Sequence, residues 1–311
     1  MISVLMSVFN ESVNDIKISI DSVLSQTYRD FELIIVLDKP DNLEAKELLC
    51  LYKEQDERVI ILVNDENIGL AMSMNRAASV AKGEYLLRMD ADDISTPDRF
   101  EIELAAMEEG KYDLVCSDYD FIDENGEEIE KSTEVYTDKQ ISKLLPLRNV
   151  IHHPTVIMTR EIFDRVGGYR NYKCAQDYDL WLRFKCAGCK FHMVNKKLLH
   201  YRIRTASTTL KHRLRQVMTL KYILSLYGKK MNGYSYDGYL NYLEKHNADS
   251  PEAQEDYTKY AELYAKAKGQ IKRGKVFRGF GNILKVLFCS KYYRPYIFRG
   301  IRISFIKKFA K

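Results

Sequence analysis

The sequence predicts an α/β fold, a mainly parallel sheet with helices on both faces, followed by a helical, basic C-terminal extension. Three observations carry this expectation. Short apolar runs alternate with amphipathic stretches through the first part of the chain, as parallel strands alternate with covering helices. Asn10, Asp38, Asn67 and Asp90 stand at or just past the ends of such runs, where ligands sit in open α/β sheets. Finally, twelve basic residues and no acid fall between Gln270 and Lys311, so with a whole-chain charge of +4 the first 269 residues carry −8.

Taken in order, Ile2 to Phe9 is the first strand, followed by Asn10-Glu11-Ser12 and a helical pattern through Ile16, Ile20, Val23 and Leu24 that ends at Tyr28. Phe31 to Leu37, Val59 to Val63 and Tyr85 to Met89 are the next buried-type runs, and Leu114 to Cys116 belongs to a fifth. A further helix opens at Asp177, with Leu180, Trp181 and Phe184 turned inward and its first turn facing the cleft. Residues 211–269 read as helices in which Tyr222, Tyr239, Tyr257, Tyr260 and Tyr264 recur at packing intervals, a pattern commoner in cores than in binding sites. The expected organisation is an α/β domain over 1–210, divided near residue 118, then a helical extension over 211–269 and a basic tail over 270–311.

The sharpest chemical signal is Asp90-Ala91-Asp92-Asp93, directly after the fourth apolar run. Carboxylates at i and i+2 at a strand end can converge on one Mg2+ or Mn2+, and such ions keep positions open for phosphate oxygens. The alternative is a solvated loop in which Asp93 or Ser95 caps the helix beginning near Pro97.

The context of that cluster resembles a known family. Val4 to Asn10, Ser22 to Val36 with its Ser25-Gln26-Thr27-Tyr28, Asn67-Ile68-Gly69-Leu70, Ala81 to Tyr85, the acid cluster, His153-Pro154-Thr155, Val166-Gly167-Gly168-Tyr169 and Gln176 to Arg183 follow one another in order. Together, over about residues 1 to 205, they are similar to a family-2 inverting glycosyltransferase of the GT-A fold, of the type that assembles bacterial polysaccharides.

The resemblance implies a set of roles. Asp92, with Asp90, holds a Mn2+ or Mg2+ ion that neutralises the departing diphosphate, which leaves one carboxylate base sufficient for the acceptor hydroxyl. That base is Asp177; the alternative is an acid favoured by the helix macrodipole, as its neighbour Asp179 is. Asp38 matches the acid that accepts a hydrogen bond from uracil, against the alternative of a turn started before Pro40. Ser7 and Phe9 supply a polar contact and an aromatic wall, and Asn10, Asn67, Gly69, Asp90, Arg202 and Arg204 complete the nucleotide site. The implied partners are a UDP-hexose or UDP-N-acetylhexosamine donor and a lipid-linked glycan acceptor.

The sequence departs from the family pattern at three places. The usual paired acids with Gly-Ser become Leu37-Asp38-Lys39-Pro40, Gln176 stands where many relatives have Glu, and Arg204 replaces a frequent histidine. Arg204 and Arg202 then either meet the diphosphate from one side of a strand or remain a solvated pair.

Composition excludes other classes. Neither a G-x-x-x-x-G-K-[ST] nor a G-x-G-x-x-G pattern occurs, no apolar run of about 18 residues is present to span a bilayer, and Met1 to Phe9 lacks the basic flank of a signal peptide. A cytoplasmic enzyme peripheral on the inner face of the membrane is expected. The six cysteines suit buried, reduced thiols, with zinc binding by Cys174, Cys186, Cys189 and His192 a lesser alternative. In the tail, Val276, Phe277, Phe280, Ile283, Leu284 and Leu287 fall on one side of a helix and Arg278 and Lys285 opposite, suiting an anionic membrane surface; the alternative is an ordinary terminal helix packed on the catalytic domain. Aromatic-basic interleaving alone is weak evidence for nucleic acid, and no nucleic-acid partner is expected. A non-catalytic binding protein on the same fold, recruiting partners or polyanions through the tail, is the competing function.

Overall fold

The computed structural model describes residues 1–131, 133–204, 213–290, 293–294, 297–300 and 303. The chain divides into two compact units, 1–205 and 206–311.

The first unit is a mixed sheet of nine strands: β1 (Ile2–Val8), β2 (Phe31–Leu37), β3 (Val59–Val63), β4 (Tyr85–Asp90), β5 (Ile94–Ser95), β6 (Leu114–Ile122), β7 (Glu128–Ile129), β8 (Val156–Thr159) and β9 (Phe191–Arg202). Their order is β3-β2-β1-β4-β8-β6-β9-β5, with β7 beside β6. Pairing is parallel across β3-β2-β1-β4 and between β6 and β9, and antiparallel where β8, β7 and β5 join. The central strands are covered on both faces, which is why they read as continuous apolar runs. All seven residues of β2 are buried, and Glu32 among them is satisfied by the Ser3 hydroxyl at 2.6 Å and the Lys82 amide at 2.5 Å.

Among the described residues seven α-helices belong to this unit: α1 (Val13–Leu24), α2 (Leu43–Gln55), α3 (Leu70–Val80), α4 (Arg99–Gly110), α5 (Asp138–Leu144), α6 (Arg160–Arg165) and α7 (Gln176–Cys186). Ser12 caps α1 by accepting the Asp15 amide at 3.1 Å. The helix ends at Leu24 rather than at Tyr28. The reason is Gln26, fully buried, whose amide donates to the Ser22 carbonyl, to Ser95 Oγ and to the Thr96 carbonyl while its oxygen accepts the Phe100 amide. A side chain spent in this way fixes the chain outside the helix and ties α1 to β5 and α4.

The second unit holds α8 (Arg213–Tyr227), α9 (Tyr236–Lys245), α10 (Pro251–Lys272) and α11 (Val276–Cys289). Tyr222, Tyr239, Tyr257 and Tyr260 are core, as expected, while Tyr264 is half-buried. Tyr239 is fully buried against Tyr222 at 5.6 Å and exchanges a hydrogen bond with Thr219, and Tyr257 and Tyr264 both pack on Tyr293. α11 packs on α10 at Gly279, where a Cβ would come within 2.6 Å of Ile271 and 2.8 Å of the Ala267 carbonyl. That crossing buries Gly279 and Val286 but leaves Phe277, Phe280, Leu284 and Phe288 exposed, Phe277 almost completely.

Arg99 and Glu103 form a wholly buried ion pair on α4, 3.1 Å apart, in which Ser117 also donates to the carboxylate and Arg99 reaches the Arg88 and Pro154 carbonyls. Removing one member of such a pair strands the other charge. Glu103→Ala should therefore cost the first unit about 3–5 kcal/mol in urea unfolding, and Arg99→Met/Glu103→Leu should cost less than that single change.

Candidate active site

The site is built where β1 and β4 end and α1 begins. β4 carries Arg88, 1% exposed, whose Nη2 lies 2.5 Å from Asp90 Oδ1. The backbone of Asp90 is held from α1, because Ser19 Oγ donates to its carbonyl at 2.9 Å. Two residues on, Asp92 Oδ2 accepts from Arg204 Nε at 3.0 Å, and the same guanidinium lies 3.1 Å from Asp15 Oδ2. Asp93 turns into the protein and accepts the Arg202 amide at 2.9 Å. It does not cap the helix beyond Pro97.

Carboxylates are crowded here beyond what the arginines neutralise, and their acidities show it. Burial, then the charge of Asp90, pushes Asp92 up to about 6 against the opposing Arg204. Burial and the neighbouring Asp90 and Asp92 hold Asp93 well above the usual carboxylate range. Glu11 is also raised, by burial first, although it accepts the Phe9 amide. A surplus of oxygen donors of this kind is the donor set that suits Mg2+ or Mn2+. Glu11, Asp90 and Asp92 are half-buried, whereas Asp93 is buried.

Asp177 lies in the first turn of α7, which is entered through Ala175 in the left-handed conformation at φ +57°. Tyr178, Leu180, Trp181, Leu182 and Phe184 are buried beneath it, and Asn149 Nδ2 donates to Asp177 Oδ2 at 2.6 Å. Burial raises its pKa above the usual carboxylate range, with the Tyr178 amide and Asn149 opposing. Asp179 is structural, bridging Arg183 at 2.7 Å and Arg170 at 3.3 Å with no exposure.

Among the expected nucleotide residues, Ser7 is half-buried on β1 in register with Asp90, while Phe9, Asn10 and Asn67 are exposed. Asn10 accepts from Lys39 Nζ at 2.9 Å. Gly69 opens α3 at φ +83°. Asp38 departs from the expectation of an open, base-facing acid. It is 3% exposed and spent on accepting Asn64 Nδ2 at 2.6 Å and the Ile68 and Gly69 amides at 2.9 Å each, so it shapes the 67–69 turn from within. Arg202 departs from its expectation as well. Both arginines lie against Asp15, but Arg202 is buried and donates to the Asp92, Asp123 and Glu124 carbonyls, which leaves Arg204 as the half-buried one.

Glu11, Asp15, Arg88 and Asn149 are the neighbours that sequence reasoning missed. Arg88 had a legible sign, a charge inside the apolar run Tyr85–Met89; Asn149 had none, since it lies in an irregular segment far from Asp177 in sequence. A separate group, Asp120, Glu128 and His200, brings possible ligand atoms within 4.8 Å of one another, but Lys197 already pairs with Asp120. Cys174, Cys186, Cys189 and His192 form no such group among the described residues; His192 bonds Asp138 and stacks on Tyr112. Cys50, Cys186 and Cys289 are exposed and Cys116 is buried, contrary to the expectation of buried thiols throughout.

Comparisons with known proteins show the family of the chain and a likeness of fold. A family model described as Glycosyl transferase family 2 matches residues 3–167. An uncharacterized glycosyltransferase of Methanocaldococcus jannaschii is 35% identical over 231 residues, 74% of this chain and 80% of its own length. The O-antigen biosynthesis glycosyltransferase WbnJ of Escherichia coli is 37% identical over 211 residues, 67% of this chain and 82% of its own. Among solved structures, residues 1–349 of S. aureus TarS in complex with UDP-GlcNAc superpose with a TM-score of 0.57 at 20% identity, over 72% of this chain and 66% of that one, a likeness of fold.

The crowding has a measurable consequence. A carboxyl raised to about 6 in the folded state keeps a proton that the unfolded chain has lost above about 4. Stability of the metal-free protein therefore falls as pH rises from about 4 to about 6 and stays reduced above it. In chelator at pH 7.5, Asp92→Asn should be more stable than the parent by about 1 kcal/mol, and Mn2+ should raise the melting temperature of the parent only.

Proposed function

The chain belongs to glycosyl transferase family 2, and we propose that it is a metal-dependent inverting enzyme that moves a hexose or N-acetylhexosamine from UDP to a lipid-linked glycan in cell-surface polysaccharide assembly. The observation that carries this reading is the set of crowded carboxylates at the end of β4, with Asp92 raised to about 6 beside Asp90. The O-antigen role named for the Escherichia coli relative and the UDP-GlcNAc bound in the TarS structure support the choice of pathway and donor.

In this reading Ser7, Phe9 and Asn10 at the end of β1 receive the nucleoside, together with Asn67 and Gly69 in the turn that Asp38 holds in shape. Mn2+ or Mg2+ held by Asp92 and Asp90 supplies Lewis-acid neutralisation of the diphosphate when bound. Arg204, already paired with Asp92 and Asp15, adds a cation on the same side, while Arg202 acts by fixing the backbone of Asp92. Asp177 takes the proton of the acceptor hydroxyl as its oxygen bonds to the anomeric carbon and the bond from that carbon to the diphosphate breaks. One displacement inverts the anomeric centre. The raised pKa of Asp177 makes it a stronger base than a free aspartate.

No helix among the described residues is long and apolar enough to cross a membrane. The reading places the protein on the cytoplasmic face through the tail, 270–311, where Phe277, Phe280, Leu284 and Phe288 form an exposed stripe on α11 amid basic residues. Each basic residue close to an anionic leaflet contributes about 1 kcal/mol, and apolar burial adds a part that salt does not screen.

Two tests follow from these assignments. Asp177→Asn should lower transfer by about 10²-fold or more and leave UDP affinity, read by calorimetry, nearly unchanged; near-normal turnover removes Asp177 as base. Phe277→Ser/Phe280→Ser/Phe288→Ser should release the protein from anionic liposomes in co-sedimentation and spare donor hydrolysis, whereas equal pelleting of parent and variant removes the membrane role.

A further inference from the structure

Beside Asp177 lies a cavity of about 540 Å3 that none of the preceding roles uses. Its floor is the outer part of β6, including Tyr119, and its walls are Lys131, Thr133, Glu134 and Tyr136 on one side and the 148–152 segment on the other. The walls are tied together, because Arg148 Nη2 lies 2.5 Å from Glu134 Oε2 and also meets the Tyr136 hydroxyl. His152 stacks face to face on Tyr119 at 4.2 Å and meets Tyr201 edge-on at 4.5 Å. The wall then runs directly to the base, since Asn149, which follows Arg148, donates to Asp177.

The lining selects a chemistry. Lys131 and Arg148 are balanced by Asp118 and Glu134, so the groove offers directional hydrogen bonds without the net positive charge that a polyanion or a second nucleotide would require. Aromatic faces next to such donors and acceptors match a pyranose, apolar across its C–H face and polar at its rim. The volume falls within the about 300–1,000 Å3 typical of small-ligand sites. We infer that this groove binds the terminal sugar of the glycan acceptor and presents its hydroxyl to Asp177, with Asn149 positioning the base. The inference rests on Asp177 acting as that base.

The test uses methyl hexosides and methyl N-acetylhexosaminides as probes, read by saturation-transfer NMR, with UDP affinity measured in parallel. The full-length protein should bind at least one probe. Thr133→Trp, which fills the groove, should weaken that probe by at least about tenfold and leave UDP affinity within about twofold. Arg148→Ala, a smaller change, should weaken the same probe and serves if Thr133→Trp fails to fold. Probe signals that persist in a folded variant, or a parent that binds UDP but no probe, overturn the groove. A parent that binds neither UDP nor any sugar nucleotide overturns the glycosyltransferase site itself, a separate failure.

Discussion

Everything about the site depends on holding several carboxylates together at the end of one strand. Asp90, Asp92, Asp93, Glu11 and Asp15 repel one another, and taking them out of water adds to the cost. The fold answers with three arginines at different depths. Arg88 lies under the strand and pairs with Asp90, Arg202 donates to the backbone that carries Asp92, and Arg204 spans Asp92 and Asp15 near the surface. The compensation is incomplete. Asp92 remains raised, and that residual strain is what a divalent cation would relieve, so that instability without metal and affinity for metal have one cause.

Such an arrangement needs a rigid frame, and the frame is polar as well as apolar. Gln26 joins α1 to β5 and α4 through four hydrogen bonds, and Arg99 on α4 binds the carbonyls of Arg88 and Pro154 while paired to Glu103. The chain just before the acid cluster is therefore fastened to the turn at His153–Thr155, and the loop after it to the end of α1. Buried polar groups are costly unless satisfied, and where they are satisfied they select one geometry among the many that a purely apolar core would accept.

What was legible in the sequence follows from this division. Strands β1, β2 and β4 announced themselves because both their faces are largely buried, β3 because its run is apolar throughout, and Asp90 and Asp92 because they stand at i and i+2 where such a run ends. β5 and β7, two residues each, are too short to show a period, and the early end of α1 depends on partners of Gln26 some seventy residues away. The positions of Asp38 and Arg202 were legible but not the directions of their side chains. Both point inward to backbone amides or carbonyls supplied by other segments, and no local pattern records which polar group a loop from elsewhere will bring.

The charge of the two parts of the chain completes the physical picture. The first 269 residues carry −8 and the last 42 carry +12, so an anionic surface repels most of the molecule and attracts one end. Electrostatics alone would make that attraction weak at cellular ionic strength, since exposed charges are screened beyond about 8 Å. The stripe from Phe277 to Phe288 changes the outcome. Its residues recur at helical spacing on the side of α11 that does not face α10, and apolar burial is insensitive to salt. A basic segment that steers and an apolar stripe that holds would act in sequence, which gives a reason for finding both in one short tail.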